Sequence, residues 1–399
     1  MKLVTAQSSL KDEADAVGQI KQKIAKSGQP KLLVFTCTVA YDVDRVYSLI
    51  RQEFSDIPIQ GGTSCSAIMT DDGYISQDGR AVAAMGFYDE DCEFGVGSED
   101  KGDDPKAAAK KALEEAIDNA DRSGELPNAV WLICSPGGEE QIIEGLTESL
   151  GEDFPLIGGS SADNTIEGHW KQFSHKGVHD NNVTVVAIFD DNKVIATSFH
   201  SGYDPSKNIG KVTKAGDRVI FEIDNKPAAE VYNEWSQGAI KDQMAGGQIL
   251  AASNVFPIGR KVGKISNLDY YCLSHPETVT ENKGITVFTD IFEGEEITCM
   301  TGSVDLLVAR AGNVVHSALE TESLSKDQIT GAMIIFCAGC MMTIGDRMPE
   351  AAANLKKELG EGVPFFSMFT FGEQGSLAGG ENRHGNLMIS VLLFTSKEI

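Results

Sequence analysis

The sequence predicts an α/β fold in which repeated strand–helix–strand–hairpin units form mixed sheets with flanking helices, arranged in two domains. Three observations carry this expectation. Residues 30–66 and 127–163 are two copies of one segment, with Pro30 and Pro127 each seven positions before a cysteine (Cys37, Cys134). In both, a second proline (Pro58, Pro155) follows that cysteine by 21 positions and precedes a Gly-Gly pair by three. A looser third copy closes the chain, from GAMIIFCAGC at 331–340 to VPFFSMFTFGEQG at 363–375. Repetition on this scale constrains architecture before any motif is read, and three copies place three equivalent loops near one another.

Each copy opens with an apolar run of strand length: Leu32 to Phe35, Val130 to Ile133, Met333 to Phe336. Helical spacing follows. Val43, Val46, Ile50 and Phe54 step by three or four, as do Ile142, Leu146 and Leu150, and then Met348, Ala352, Leu355 and Leu359. Pro349 falls in the first turn of the third helix, where a missing N–H costs nothing. Proline then ends each helix and a second apolar strand runs into small residues. Strand, crossover helix and strand imply a parallel pair with a right-handed crossover. After each glycine-rich turn comes another strand, ending at Phe87, Phe189 and Phe394. The first two run through acidic turns (YDED, DDNK) into further strands, which reads as hairpins, and ITVFTDIFEGEEITCM at 285–300 reads as another. The nearest approach to a linker is the polar stretch Gly202 to Gly216.

Composition narrows the function. The formal net charge of −25 argues against nucleic acid and anionic membrane as partners. No basic, then apolar, leader opens the chain, and the apolar run Gly331 to Gly345 is short of the roughly 20 residues that span a bilayer. A soluble, cytoplasmic protein is expected. Eight dispersed cysteines read as reduced thiols, and Cys337-Ala338-Gly339-Cys340 as a structural element, since Cys37 and Cys134 hold the same place without a second cysteine.

GGTSCSAIMTDDGY (61–74) and IGGSSADN (157–164) resemble the FIST N-terminal domain. VIFEIDNKPAAEVYNEW (219–235) resembles the opening of the FIST C-terminal domain, and PFFSMFTFGEQG with RHGNLMISVLLF (383–394) its end. The resemblance implies a FIST N-like domain over 30–220, a FIST C-like domain over 221–394, and an N-terminal helix in 1–29 packing on the first. It further implies a sensory module for a small ligand such as an amino acid or related carboxylate. Such a module acts through a separate output partner such as a histidine kinase. A branch of the family resembles haem proteins that sense nitric oxide, so haem is an alternative cofactor, though none is required. Where the family's ending reads like Gly-Glu-Ile-Gly and His-Asn-Gln-Thr, this chain has Gly372-Glu373-Gln374-Gly375 and His384-Gly385-Asn386.

The residues then nominate a site. The turns Gly62-Thr63-Ser64 and Gly159-Ser160-Ser161 can present N–H groups and hydroxyls to an anion, or serve only as tight strand-end turns. Asp163 and Asn164 read first as turn formers, and second as a grip on an ammonium group. Arg347, opening the third helix, and Glu373, in the third strand-end turn, form the charged pair that would read a zwitterion. His384 and Asn386 complete the ligand set. No histidine pair has metalloprotease spacing, so no metal site is expected; a haem would take His200 or His384. Ser64, Cys65 or Ser160 with His384 as base is the hydrolase alternative, but no G-x-S-x-G elbow accompanies them, and an enzyme is not expected.

Overall fold

The computed structural model describes residues 1–265, 268–377 and 380–399. The strand–helix–strand unit occurs three times with matching register. Leu32–Cys37 and Ile59–Thr63 are parallel across helix Val43–Glu53, with Cys37 opposite Thr63. Ala129–Cys134 and Leu156–Ser160 flank helix Glu139–Leu150, with Cys134 opposite Ser160. Ile329–Cys337 and Phe365–Thr370 flank helices Ala338–Ile344 and Met348–Leu359, with Cys337 opposite Thr370. In each helix the apolar positions expected from spacing point inward: Val46 and Ile50, Ile142 and Leu146, Leu355 and Leu359 are buried. Each unit is closed by an antiparallel strand on the far side of its first strand: Val82–Phe87, Asn182–Phe189 and Met388–Glu398.

The units are interlocked by exchange. The small hairpin Ile68–Thr70/Gly73–Ile75 of the first unit pairs with the third unit's Phe365–Thr370. The second unit's hairpin, Gln172–Ser174/Gly177–His179, pairs with the first unit's Ile59–Thr63. The third unit's hairpin, Glu373–Ser376/Asn382–Gly385, pairs with the second unit's Leu156–Ser160. The strands after the acidic turns are exchanged too, which corrects the hairpins expected there. Glu93–Asp100 crosses to the second unit's sheet beside Asn182–Phe189, and Lys193–Ser201 crosses to the third unit's sheet beside Met388–Glu398. In the first unit the equivalent edge is filled by the N-terminal strand Leu3–Ser8. The result is three six-stranded sheets.

Burial explains why the strands cross rather than fold back. The inner faces of all three sheets meet in one core containing Val34, Phe87, Trp131, Ile188, Phe366 and Phe394. Phe94, on the crossing strand, packs on Phe87 with ring centroids 5.2 Å apart. Each unit alone would leave this face wet, and at about 25 cal/mol per Å² of apolar surface the shared core is the force that closes the ring. The outer faces are covered by helices. Helix Glu13–Ile24 sits with Val46 and Ile50 on the first sheet, helices Pro105–Asn119 and Glu139–Leu150 on the second, and Val304–Thr321 with Met348–Leu359 on the third.

Residues 204–301 build a fourth, nine-stranded sheet. The stretch expected as a linker is in fact the 13-residue strand Asp204–Gly216. It pairs with both Glu296–Thr301 and Val219–Ile223. Ile285–Val287 and Glu296–Thr301, expected to pair with each other, pair instead with different neighbours, because the long strand lies between them. Helix Ala228–Trp235 packs its buried Tyr232 against this sheet. No helix among the described residues is long and apolar enough to cross a membrane.

Candidate ligand cleft and the buried turn cluster

The strand-end turns do meet, and they bond to one another. Ala162 N donates to Thr63 O (2.9 Å), Cys65 N to Phe369 O (3.0 Å), and Ser160 N to Gly372 O (2.8 Å). A methyl group on Gly62 would lie 2.4 Å from Ser161 Oγ, and one on Gly159 would lie 2.5 Å from Thr370 Cγ2, so glycine here answers to close approach. Thr63, Ser64, Ser160 and Ser161 are fully buried. Ser64 Oγ donates to Ala67 O and accepts from Phe369 N, which ties the first turn to the third. Asp163 gathers four backbone N–H groups, from Thr165, Ile166, Glu167 and His169. Burial pushes its carboxyl upward, but those donors outweigh it and hold it below the usual range. Asn164 accepts from Ser66 N and donates to Gly79 O.

Arg347 and Glu373 are not brought together. Arg347 lies on the surface with 41% of its side chain exposed, bidentate to Glu350 and bonded to Asp305. Glu373 is fully buried, accepting from Thr370 Oγ1 (2.9 Å) and Met388 N (3.1 Å). Burial, reinforced by the neighbouring Cys337, drives its carboxyl well above the usual range. An arginine at a helix start gained acids from its own surface, while a glutamate in a turn was carried into the core.

A buried ionic cluster was missed by sequence reasoning. Glu139 opens the second unit's helix; its Oε1 accepts from Gly137 N (2.7 Å) and Ser160 Oγ (2.9 Å). Arg218 reaches across from the fourth sheet, with Nη2 3.2 Å from Glu139 and 2.6 Å from Glu140, and Nε 2.9 Å from Asp290. Burial opposes ionisation of Glu139, but His384 and Arg218 together with backbone N–H bonds bring its pKa down to about 2. His384 Nδ1 is 3.2 Å from Gln374 Nε2, and its Nε2 lies 4.0 Å from Glu139. Asn386 accepts from His275 N and donates its own N–H to Leu273 O. Donor atoms of Glu139, Glu140 and His384 lie within 4.8 Å of one another, but the Arg218 guanidinium already supplies the positive charge there. The signal was available as Gly-Gly-Glu-Glu at 137–140, two left-handed glycines followed by acids at a helix start. Neither Ser64 nor Ser160 bonds to a histidine, and burial raises the Cys65 thiol to about 12, so the expected pairing of these nucleophiles with His384 as base does not form.

A large cleft lies elsewhere, with a volume of about 940 Å³. One wall is the end of strand Lys193–Ser201, with Thr197 and His200, continuing into Tyr203. The facing walls are the hairpin Ile258–Ile265/Leu268–Ser274, with Tyr270 and Tyr271, and one side of helix Val304–Thr321, with Arg310, Asn313 and Ser317. His200 packs on Tyr270 with ring centroids 4.4 Å apart, and Tyr270 Oη donates to Phe199 O. Gly202 lets the helix come close, since a Cβ there would meet Leu307 and Arg310 at 3.0 to 3.2 Å. Arg310 steps three from Leu307 and four from Val314, placing a guanidinium on the apolar stripe, which is the signal that would have found it. Its Nε and Nη2 are closed off from water and have no hydrogen-bond partner among the described residues. Burial lowers its pKa to about 10.

Two family models match the chain, the FIST N domain over residues 31–226 and the FIST C domain over 228–376. An uncharacterized protein of Methanocaldococcus jannaschii is 24% identical over 236 residues, which are 56% of this chain and 44% of that protein, so the chain spans less than half of this relative's length. Among solved structures, cyanuric acid hydrolase from A. caulinodans aligns over 99% of both chains at 8% identity with a TM-score of 0.39. PurLQS from Thermotoga maritima aligns over 84% of this chain and 74% of its own at 11% identity and a TM-score of 0.24.

Proposed function

The chain belongs to the FIST family, whose domains are associated with sensing in signal transduction, and on that premise we propose that it is a cytoplasmic sensor receiving a small ligand in the 940 Å³ cleft. One observation carries this reading: the cleft is walled from both matched segments. Strand Lys193–Ser201 belongs to the first; the hairpin and helix Val304–Thr321 belong to the second. A molecule held between them has differential contacts with open and closed arrangements, which is what a ligand needs in order to shift a conformational equilibrium. Its size and mixture of aromatic and polar walls suit a small-molecule site. An amino acid or related carboxylate is the ligand class proposed, with output through a separate partner such as a histidine kinase. The test is native mass spectrometry of the purified protein and of Ala309→Trp, which fills the cleft from an exposed helix position. A non-covalent adduct lost in the variant supports the reading; an adduct retained there places the ligand elsewhere.

A second reading is favoured by His200, which stands on the cleft wall. It would hold haem there, with iron supplying a site for a diatomic gas. His384 fits this role poorly, being buried against Gln374 and Glu139. A visible absorption band abolished by His200→Ala would bring this reading forward, and its absence in protein supplied with haem would dismiss it.

A further inference from the structure

We infer that the cleft recognises an oxyanion, a carboxylate or a phosphate ester borne on a flat organic body, and that Arg310 is the residue that holds it. The inference rests on the cleft being the ligand site. Its basis is an imbalance of charge. No carboxylate among the described residues lies within 4.0 Å of the Arg310 guanidinium, and two of its nitrogens are shut away from water without partners. The acids around the cleft do not supply the missing charge. Asp269 is bonded to Lys261 and Lys264, Glu320 to His316, and Asp204 is exposed on its strand without contacting Arg310.

Taking a guanidinium out of water costs free energy that only a paired anion returns. The chain does nothing to avoid that cost. Gly202 lacks a side chain, so the Arg310 stem lies against its backbone, and Arg310 is among the residues that line the cleft. An arginine edge bonds a carboxylate or phosphate with two parallel N–H groups once it turns toward it. Around that anchor the cleft is lined by His200, Tyr270 and Tyr271, whose rings give the remainder of the ligand an aromatic surface to pack on.

The experiment measures thermal denaturation of the full chain and of Arg310→Met and Ala309→Trp. Probes are sodium benzoate and phenyl phosphate, with inorganic phosphate to separate the anion from its organic body, and benzamide and benzylamine as uncharged and cationic counterparts. In the unliganded state Arg310→Met should melt about 2 °C higher than the parent, because it removes a part-buried charge with no anionic partner among the described residues; a merely structural arginine would melt lower on removal. Benzoate or phenyl phosphate should raise the parent's melting temperature saturably, and both variants should lose that shift. A larger effect of benzoate assigns a carboxylate, and of phenyl phosphate a phosphate ester. If benzamide or benzylamine stabilises the parent and Arg310→Met alike but not Ala309→Trp, the cleft stands as a site and the oxyanion assignment falls. If the anions stabilise all three proteins equally, both fall. If no probe shifts the parent, or Arg310→Met melts lower, the role of Arg310 is overturned.

Discussion

Removing Arg218 should unmask how the fourth sheet is fastened to the three-sheet core. Its guanidinium touches Glu139, Glu140 and Asp290, and Nη1 donates to Phe288 O (2.9 Å). Glu139 is 3% exposed. A carboxyl moved from its ordinary 4.5 to about 2 contributes about 3 kcal/mol to the folded state at neutral pH. Because its folded pKa is depressed, that contribution is complete above about pH 5 and disappears as pH falls through about 2. Arg218→Met strips the cation and leaves the buried Glu139 beside the part-exposed Glu140 and Asp290, so the expected loss at pH 7 is about 3–5 kcal/mol. The carboxyl of Glu139 should then titrate higher, and the variant should lose less stability than the parent on going from pH 7 to pH 4. Urea unfolding at the two pH values reads both effects. Adding Glu139→Gln to Arg218→Met should restore part of the loss, since it removes the charge left without its partner. A loss below about 1 kcal/mol at pH 7, or a double variant no more stable than the single one, would refute the reasoning.

Two buried groups give further pH predictions of their own. Burial lowers His275 to about 4, so the unfolded chain binds its proton first and stability should fall by up to about 3 kcal/mol as pH drops from 6.5 toward 4; His275→Gln should flatten that part of the urea profile, and an unchanged slope would count against it. Glu373 has the opposite sign: its raised pKa means stability is lost as pH rises above 4.5, so Glu373→Gln should gain on the parent between pH 5 and pH 8 in thermal denaturation, and a variant that gains nothing would mean the carboxyl is ionised in the fold.

The local elements were legible because their signals are local. Val46 and Ile50 at helical spacing, Pro349 in a first turn, and the apolar run Leu32 to Phe35 each state a conformation and a buried face. Partner choice was not legible. The acidic turn after Phe87 is compatible with a hairpin, and only the core shared by Phe87, Phe94 and Phe394 sends the next strand across to another sheet. Alternation along a strand records which side is buried, not against which strand it pairs. The same limit applies to the site. Arg347 and Glu373 carry suitable charges in sequence, but burial decides which charge lacks a partner, and tertiary contacts satisfied Arg347 on the surface while leaving Arg310 in the cleft wall with no anionic partner among the described residues. The strand-end turns were expected to converge and do so, with packing close enough to place Ser161 Oγ 2.4 Å from where a Gly62 methyl would stand.

The most direct measurement is hydrogen exchange on the purified protein with and without the molecule released from it by denaturation. The account predicts slowed exchange on both sides of the cleft, in strand Lys193–Ser201 and in helix Val304–Thr321, and no protection in Ala309→Trp. Protection confined to the strand-end turns around Gly62 and Ser160, with the cleft walls unchanged, would contradict it.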